Sequence, residues 1–225
     1  MKIEPFHLAL ILDGNRRWAR RRVLPSALGH HRGVENLKKL LPVFRKNKIT
    51  HLTAYTLSSE NLKERKASEL KNLFELIEKF AANDKIIFEN EVQINIFGEL
   101  QKFPSSTKKN LNDLVRRTKK HRKLVLNLAL GYGSRAEIVR AANEFVKSGK
   151  HASEKTFEKA LYSGKQPPID LLIRTGGKQR ISNFLLWQLA YSELYFTEKF
   201  WPDFAEKDLI EALSWFRKQK RNFGK

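Results

Sequence analysis

Cysteine is absent from all 225 residues. Disulfides and thiolate metal sites are therefore excluded, and a reducing, cytoplasmic setting fits. No stretch approaches the roughly 20 consecutive apolar residues of a membrane span. The opening MKIEPFHLALILDGN contains an acid and a proline, and its apolar run is too short for a signal peptide. The chain thus reads as soluble. No internal repeat, low-complexity tract or long linker divides it, so it reads as one domain over 1–225. Acids are scarce: 24 Asp+Glu stand against 44 Lys+Arg, a formal charge of +20. A field of that sign recruits anions, whether nucleic acid, anionic lipid headgroups or diphosphates, and composition does not rank them.

With 41% hydrophobic residues, a packed core can form. Short apolar runs at 7–12, 50–57, 92–97, 124–129, 169–173 and 193–196 read as strands. Helical patterns lie between them at 33–46, 68–89, 105–121, 135–147 and 153–161, with two more at 183–191 and 205–220. In the second pattern Leu70, Leu73, Phe74, Ile77 and Phe80 mark one face. Consecutive apolar residues at 8–12 suit strands buried on both faces. The expected fold is α/β: about six strands in a mainly parallel sheet flanked by helices. Such sheets bind ligands at the carboxyl ends of their strands.

The residues just beyond each apolar run are therefore informative. After the first run come Asp13, Gly14, Asn15, Arg16 and Arg17. Backbone amides at a helix start and two guanidinium groups suit phosphate, and a strand-end carboxylate suits Mg²⁺. An ordinary turn into a basic helix fits equally well. After the second come Ser58, Ser59, Glu60 and Asn61, then Arg65; at least one serine reads as a helix cap. After the fourth, Gly131 and Gly133 suit either close backbone approach or a plain turn. After the fifth come Arg174, Gly176, Gly177, Arg180 and Ser182, a second diphosphate cradle.

These residues resemble the cis-prenyltransferase (undecaprenyl diphosphate synthase) family over nearly the whole chain. HLALILDGNRRWA (7–19) with Gly29 and His30 is similar to its first signature, and SSEN (58–61) to its second. YGSRAEI (132–138) resembles its YGGRxEI segment, and DLLIRTGGKQRISNFLLWQLAYSELYF (170–196) with WPDF (201–204) its last signature. The resemblance implies a Mg²⁺-dependent enzyme joining isopentenyl diphosphate to an allylic diphosphate with a Z double bond, and a hydrophobic tunnel for the product. It implies that Asp13 and Asn61 are catalytic and that Asp13 and Glu193 hold Mg²⁺. The allylic diphosphate would meet Gly14, Asn15, Arg16, Arg17, Trp18, His30, Ser58 and Arg65. Isopentenyl diphosphate would meet Arg174, Arg180 and Ser182. A homodimer is implied too.

The chain departs from the family pattern in places. Ser26 stands where family members often carry an arginine, and Arg20, Arg21 and Arg22 are candidate replacements. Leu62 replaces an aromatic, one extra residue precedes Arg65, Ser134 replaces a glycine and Gln179 a histidine. At the C-terminus, Asn222 interrupts an Arg-x-Gly pattern, with Arg221 one step early. Dense basic runs at 116–123, 20–22 and 217–221 read first as solvated surface and second as attraction to anionic membrane. No nucleic-acid motif accompanies them. A catalytically weak accessory subunit is the competing reading, but such relatives have lost the aspartate and arginines that this chain keeps. Asp13→Ala is expected to abolish turnover with little loss of folding.

Overall fold

A computed structural model describes residues 6–82 and 85–219. Six strands form one sheet: β1 (His7–Ile11), β2 (His51–Ser58), β3 (Val92–Phe97), β4 (Leu124–Tyr132), β5 (Leu171–Arg174) and β6 (Glu193–Phe196). Their order is β3-β4-β2-β1-β5-β6, and every pairing is parallel. The α-helices are α1 (Asn15–Arg21), α2 (Ser26–Lys46), α3 (Ser59–Glu64), α4 (Ala67–Ala82), α5 (Lys85–Glu89), α6 (Ser105–Thr118), α7 (Ser134–Ser148), α8 (Glu154–Ala160) and α9 (Glu206–Phe216), with a 3-10 turn at Trp201–Asp203 before the last. Among the described residues, no helix is long and apolar enough to cross a membrane.

The sheet is buried on both faces, which is why its strands are apolar on consecutive residues. Leu8 and Leu10 of β1 join the larger core with Leu40, Phe44, Leu114 and Leu213. Ala9 and Ile11 turn to a second core with Phe184, Leu185 and Leu189.

One expected helix does not form. Residues 183–191 fold as irregular turns. Ser182, Asn183 and Leu185 hold φ of 51°, 60° and 50°, incompatible with a right-handed helix. The Leu186 amide leaves the local ladder to donate to Ser134 Oγ at 2.9 Å, while Phe184 and Leu185 are drawn into the second core. The pattern at 68–89 resolves into α4 and α5 rather than one helix. The polar residues buried in the sheet form a chain. Asn95 donates to Asn127 at 3.0 Å, Asn127 to Thr53 at 2.9 Å, and Thr53 meets His7 Nε2 at 2.8 Å. His7 Nδ1 lies 2.9 Å from the Pro167 carbonyl. A carbonyl only accepts, so the proton sits on Nδ1 and Nε2 accepts from Thr53.

Candidate active site

β1 stops at Ile11, and Asp13 and Gly14 turn the chain into α1. Gly14 holds φ 112°, and a Cβ there would meet Phe200 Cδ1 at 2.7 Å, so only glycine makes this turn. α1 begins with no side-chain cap and no acid in its first turn. Its leading amides are thus free for an anion. α2 crosses α1 closely: a Cβ on Gly29 would lie 2.2 Å from the Asn15 carbonyl. That contact brings His30 to the same opening.

Asp13 sits between two arginines. Its Oδ1 pairs with Arg17 Nη2 at 3.0 Å, and its Oδ2 accepts from Arg174 Nη2 at 3.0 Å. Its main-chain carbonyl accepts from Thr175 Oγ1 at 2.7 Å and from the Trp201 amide at 3.0 Å, so the backbone is also fixed. Arg174 ends β5 and is only 4% exposed. A buried guanidinium must be partnered. Besides Asp13, Arg174 Nη1 donates to Ser182 Oγ at 2.9 Å and to the Arg180 carbonyl. Residues 180–185 therefore form a strap over the end of β5. Asn183 pins it: its Nδ2 donates to Glu60 Oε1 at 2.7 Å, and its Oδ1 and carbonyl accept from the Arg135 and Ser134 amides at 2.9 and 2.8 Å.

The opposite wall follows β2. Ser58 caps α3 by accepting from the Asn61 amide at 3.0 Å, the role expected for one of the serines. Arg65 Nη1 lies 3.1 Å from Glu69 Oε1 and 3.5 Å from His30 Nε2. Because arginine only donates, His30 Nε2 accepts. Burial, and next the charge of Arg65, pull the His30 pKa down to about 4, so the ring is neutral at pH 7.

These walls enclose a cleft of about 960 Å³. Asp13, Gly14, Asn15, Arg16, Arg17, His30, Ser58, Asn61, Arg65, Arg174, Arg180 and Ser182 all line it. Of the candidates for the missing donor at Ser26, Arg20 lines the cleft beside that serine. Arg21 stacks on Phe200 at 4.5 Å, and Arg22 on Trp18 at 4.3 Å. Beneath Asn15 and His30 lies an apolar recess of about 100 Å³, walled by Leu37, Leu57, Leu73, Phe80 and Trp201.

Two expected site residues stand elsewhere. Trp18 points away from the cleft and donates from Nε1 to Asp203 at 2.7 Å, bracing α1 against the 3-10 turn. Glu193 pairs in register with Leu171, and Leu171 with Leu8. It therefore starts β6 at the end of the sheet remote from Asp13, which follows the carboxyl end of β1. The C-terminal pattern around Arg221 and Asn222 lies outside the described residues. Sequence reading passed over Tyr55, which lines the cleft, stacks on Phe184 at 4.4 Å and donates to the Ser182 carbonyl at 3.3 Å. It also passed over the Glu60–Asn183 bond. No local pattern marks either, since both depend on the fold of the strap.

Among the described residues, no three His, Asp or Glu side chains gather into a metal cage. Asp13 is the one carboxylate on the cleft wall among them. A single carboxylate suits a hard cation that takes its other ligands from phosphate oxygens and water, so this donor set fits Mg²⁺.

Residues 11–224 match the Prenyltransf family, described as "Putative undecaprenyl diphosphate synthase". An isoprenyl transferase of Rickettsia prowazekii is 45% identical over 221 residues, 97% of each chain. One from Fusobacterium nucleatum is 42% identical over 222 residues, covering 98% of this chain and 96% of the other. Among solved structures, lavandulyl diphosphate synthase from Lavandula x intermedia, in complex with dimethylallyl diphosphate, superposes with a TM-score of 0.94 at 34% identity, covering 100% of both chains. A Campylobacter jejuni chain, described as "a probable undecaprenyl diphosphate synthase", gives 0.84 at 30% identity over 99% of both. The cleft is thus that of a prenyl transferase, and the chain belongs to the undecaprenyl diphosphate synthase family.

Proposed function

We propose that the chain condenses isopentenyl diphosphate with an allylic diphosphate, such as farnesyl or geranylgeranyl diphosphate, to a Z-polyprenyl diphosphate. The observation that supports this most is Asp13 held between Arg17 and Arg174, each 3.0 Å away, where two cationic cradles meet. Arg16, Arg17, Arg65 and the first turn of α1 form the cradle for the allylic diphosphate. Arg174, Arg180 and Ser182 form the one for isopentenyl diphosphate. Each cradle presents positive charge where phosphate oxygens would lie. Mg²⁺ would be held by Asp13 with phosphate oxygens, and when bound it neutralises charge on the departing diphosphate.

The allylic C–O bond breaks and the diphosphate leaves with the electron pair. Arg16 and Arg17 stabilise that anion as its charge grows. Held against the cation, the terminal alkene carbon of isopentenyl diphosphate bonds to it, and the proton lost as the new double bond forms passes to an oxygen of the departed diphosphate. His30, neutral, accepts from Arg65 and orients that guanidinium without adding charge of its own. The apolar recess below Asn15 is the start of the channel for the growing hydrocarbon. A second copy of the chain would cover the edge of β6, where Tyr191 and Leu194 are exposed.

Radiolabelled isopentenyl diphosphate with farnesyl diphosphate and Mg²⁺ tests the reading. The expected outcome is Z-polyprenyl product from the wild type and none from Asp13→Asn. Arg180→Ala is expected to raise KM for isopentenyl diphosphate about tenfold or more, with a smaller change for the allylic substrate. A defect confined to the allylic substrate reverses the assignment of the two cradles. Normal turnover by folded Asp13→Asn removes the proposed role.

A further inference from the structure

The link between α1 and α2 projects at the mouth of the cleft. Val23 there is 94% exposed and Leu24 38%; Leu28, on the first turn of α2, is 49% exposed. Single exposed apolar residues are ordinary. Here three stand within six positions, with Arg20, Arg21 and Arg22 before them and His31 and Arg32 after. Val23 also holds φ 56°. A left-handed backbone costs a β-branched residue on the order of 1–2 kcal/mol, and no burial of its side chain offsets that cost.

The basic run at 116–123 is placed differently. Residues 116–123 lie at the end of α6 and lead into the start of β4, so they face the end of the sheet opposite the cleft. Much of that charge is already answered: Asp113 pairs with Arg116 and Arg117, and Glu91 with Lys123. Positive charge and exposed apolar surface coincide at the α1–α2 tip, and the tip borders the cleft, since Arg20, Val23 and Leu24 line its rim. Leu28 continues the apolar surface. It borders a groove between α2 and α4 whose Leu73 and Leu76 also wall the recess beneath Asn15.

We propose that this tip docks the chain on an anionic bilayer, with Val23, Leu24 and Leu28 entering the acyl boundary and Arg20, Arg21 and Arg32 meeting the headgroups. Apolar side chains flanked by cations bind such an interface through buried area and charge together. The inference rests on the function proposed above in one respect: a polyprenyl diphosphate is amphiphilic, and docking the mouth of the cleft on a bilayer gives its tail an apolar path in and out.

The test is co-sedimentation of the full chain with two kinds of vesicle, phosphatidylcholine alone and phosphatidylcholine with about one third phosphatidylglycerol. The wild type is expected to bind the anionic vesicles and not the neutral ones. Val23→Ser/Leu28→Ser is expected to weaken that binding about tenfold or more, and Lys119→Glu/Lys120→Glu, at the far end of the sheet, several-fold less. Because the chain has no cysteine, Val23→Cys takes a polarity-sensitive dye at one position, and its emission is expected to shift blue on anionic vesicles. The proposal is overturned by a wild type that ignores the vesicles, whether bare or self-associated. It is equally overturned by a far-end variant that loses as much as the tip variant, which would make the attraction diffuse, or by a dye that stays in water. Turnover is measured separately on short water-soluble substrates. A chain that turns over but does not dock loses only the docking surface; one that docks without turnover loses only the proposed reaction.

Discussion

Asp13 has a structural role as well as a chemical one. From the sequence, a strand-end aspartate looks removable without harm to the fold. The structure corrects that reading, because Arg174 is buried and Asp13 is its only carboxylate partner among the described residues. Removing one member of a buried pair strands the other charge, at about 3–5 kcal/mol when burial is complete. Asp13 itself is partly exposed, so Asp13→Ala is expected to lower the unfolding free energy by about 2–3 kcal/mol in urea titrations. Asp13→Asn keeps an acceptor for Arg174 and is expected to cost about 1 kcal/mol. Equal losses in the two variants would show that Arg174 does not depend on this partner. Val23 allows a cleaner experiment. Glycine there relieves the left-handed strain but gains freedom in the unfolded chain, and these effects nearly offset at about 1 kcal/mol each. With no packing to lose, Val23→Gly is expected to leave the chain as stable or up to about 1 kcal/mol more stable by thermal unfolding. A clear loss would mean the side chain is not idle in the free protein.

The elements that show in the sequence are those set by local periodicity. All six strands and the long helices can be read from it, because burial on both sheet faces and on one helix face leaves repeating apolar positions. The cradle residues are legible for a related reason: Asp13 follows β1, Arg174 ends β5 and Arg180 lies in the loop beyond it, and strand ends converge on one cleft. The strap is not legible. Residues 183–191 carry apolar side chains at near-helical spacing, yet Asn183 and Leu185 are held left-handed by partners distant in sequence, Glu60 and Ser134 among them. Ser134, a departure from the family's glycine, is what receives the Leu186 amide. Glu60 and Asn183 link the two cradles, since Glu60 belongs to α3 with Asn61 while Asn183 adjoins Ser182. Asn183→Gly preserves the backbone conformation and deletes the link. It is expected to raise KM for isopentenyl diphosphate about tenfold while lowering kcat less. Glu60→Ala should act the same way, and Glu60→Gln, which still accepts from Asn183, should restore most of the loss. If glutamine fares no better than alanine in steady-state kinetics, the bond does not position the strap.

At the scale of the whole molecule, the hydrogen-bonded chain from Asn95 to His7 crosses β3, β4, β2 and β1 and ties the sheet's polar interior to the charge state of one imidazole. Burial above all lowers the His7 pKa from 6.5 to about 4. A second proton would have to sit on Nε2, where the neutral ring accepts from Thr53, so the cationic form loses that bond and brings a charge into the buried sheet. The unfolded chain binds that proton near the ordinary value and the folded chain only near pH 4. Stability is therefore whole above about pH 7 and declines as pH falls from 6.5 toward 4. At pH 5 the loss from His7 alone is about 2 kcal/mol. His30, lowered to about 4 as well, adds to it in the same window. Protonation also raises a net charge that already stands at +20, and self-repulsion works in the same direction. Urea unfolding at pH 7.5 and pH 5 is expected to show the decline in the wild type and a shallower one in His7→Gln, whose amide does not titrate. If the two lines run parallel, acid sensitivity comes from the overall charge and not from the histidine at the end of the chain.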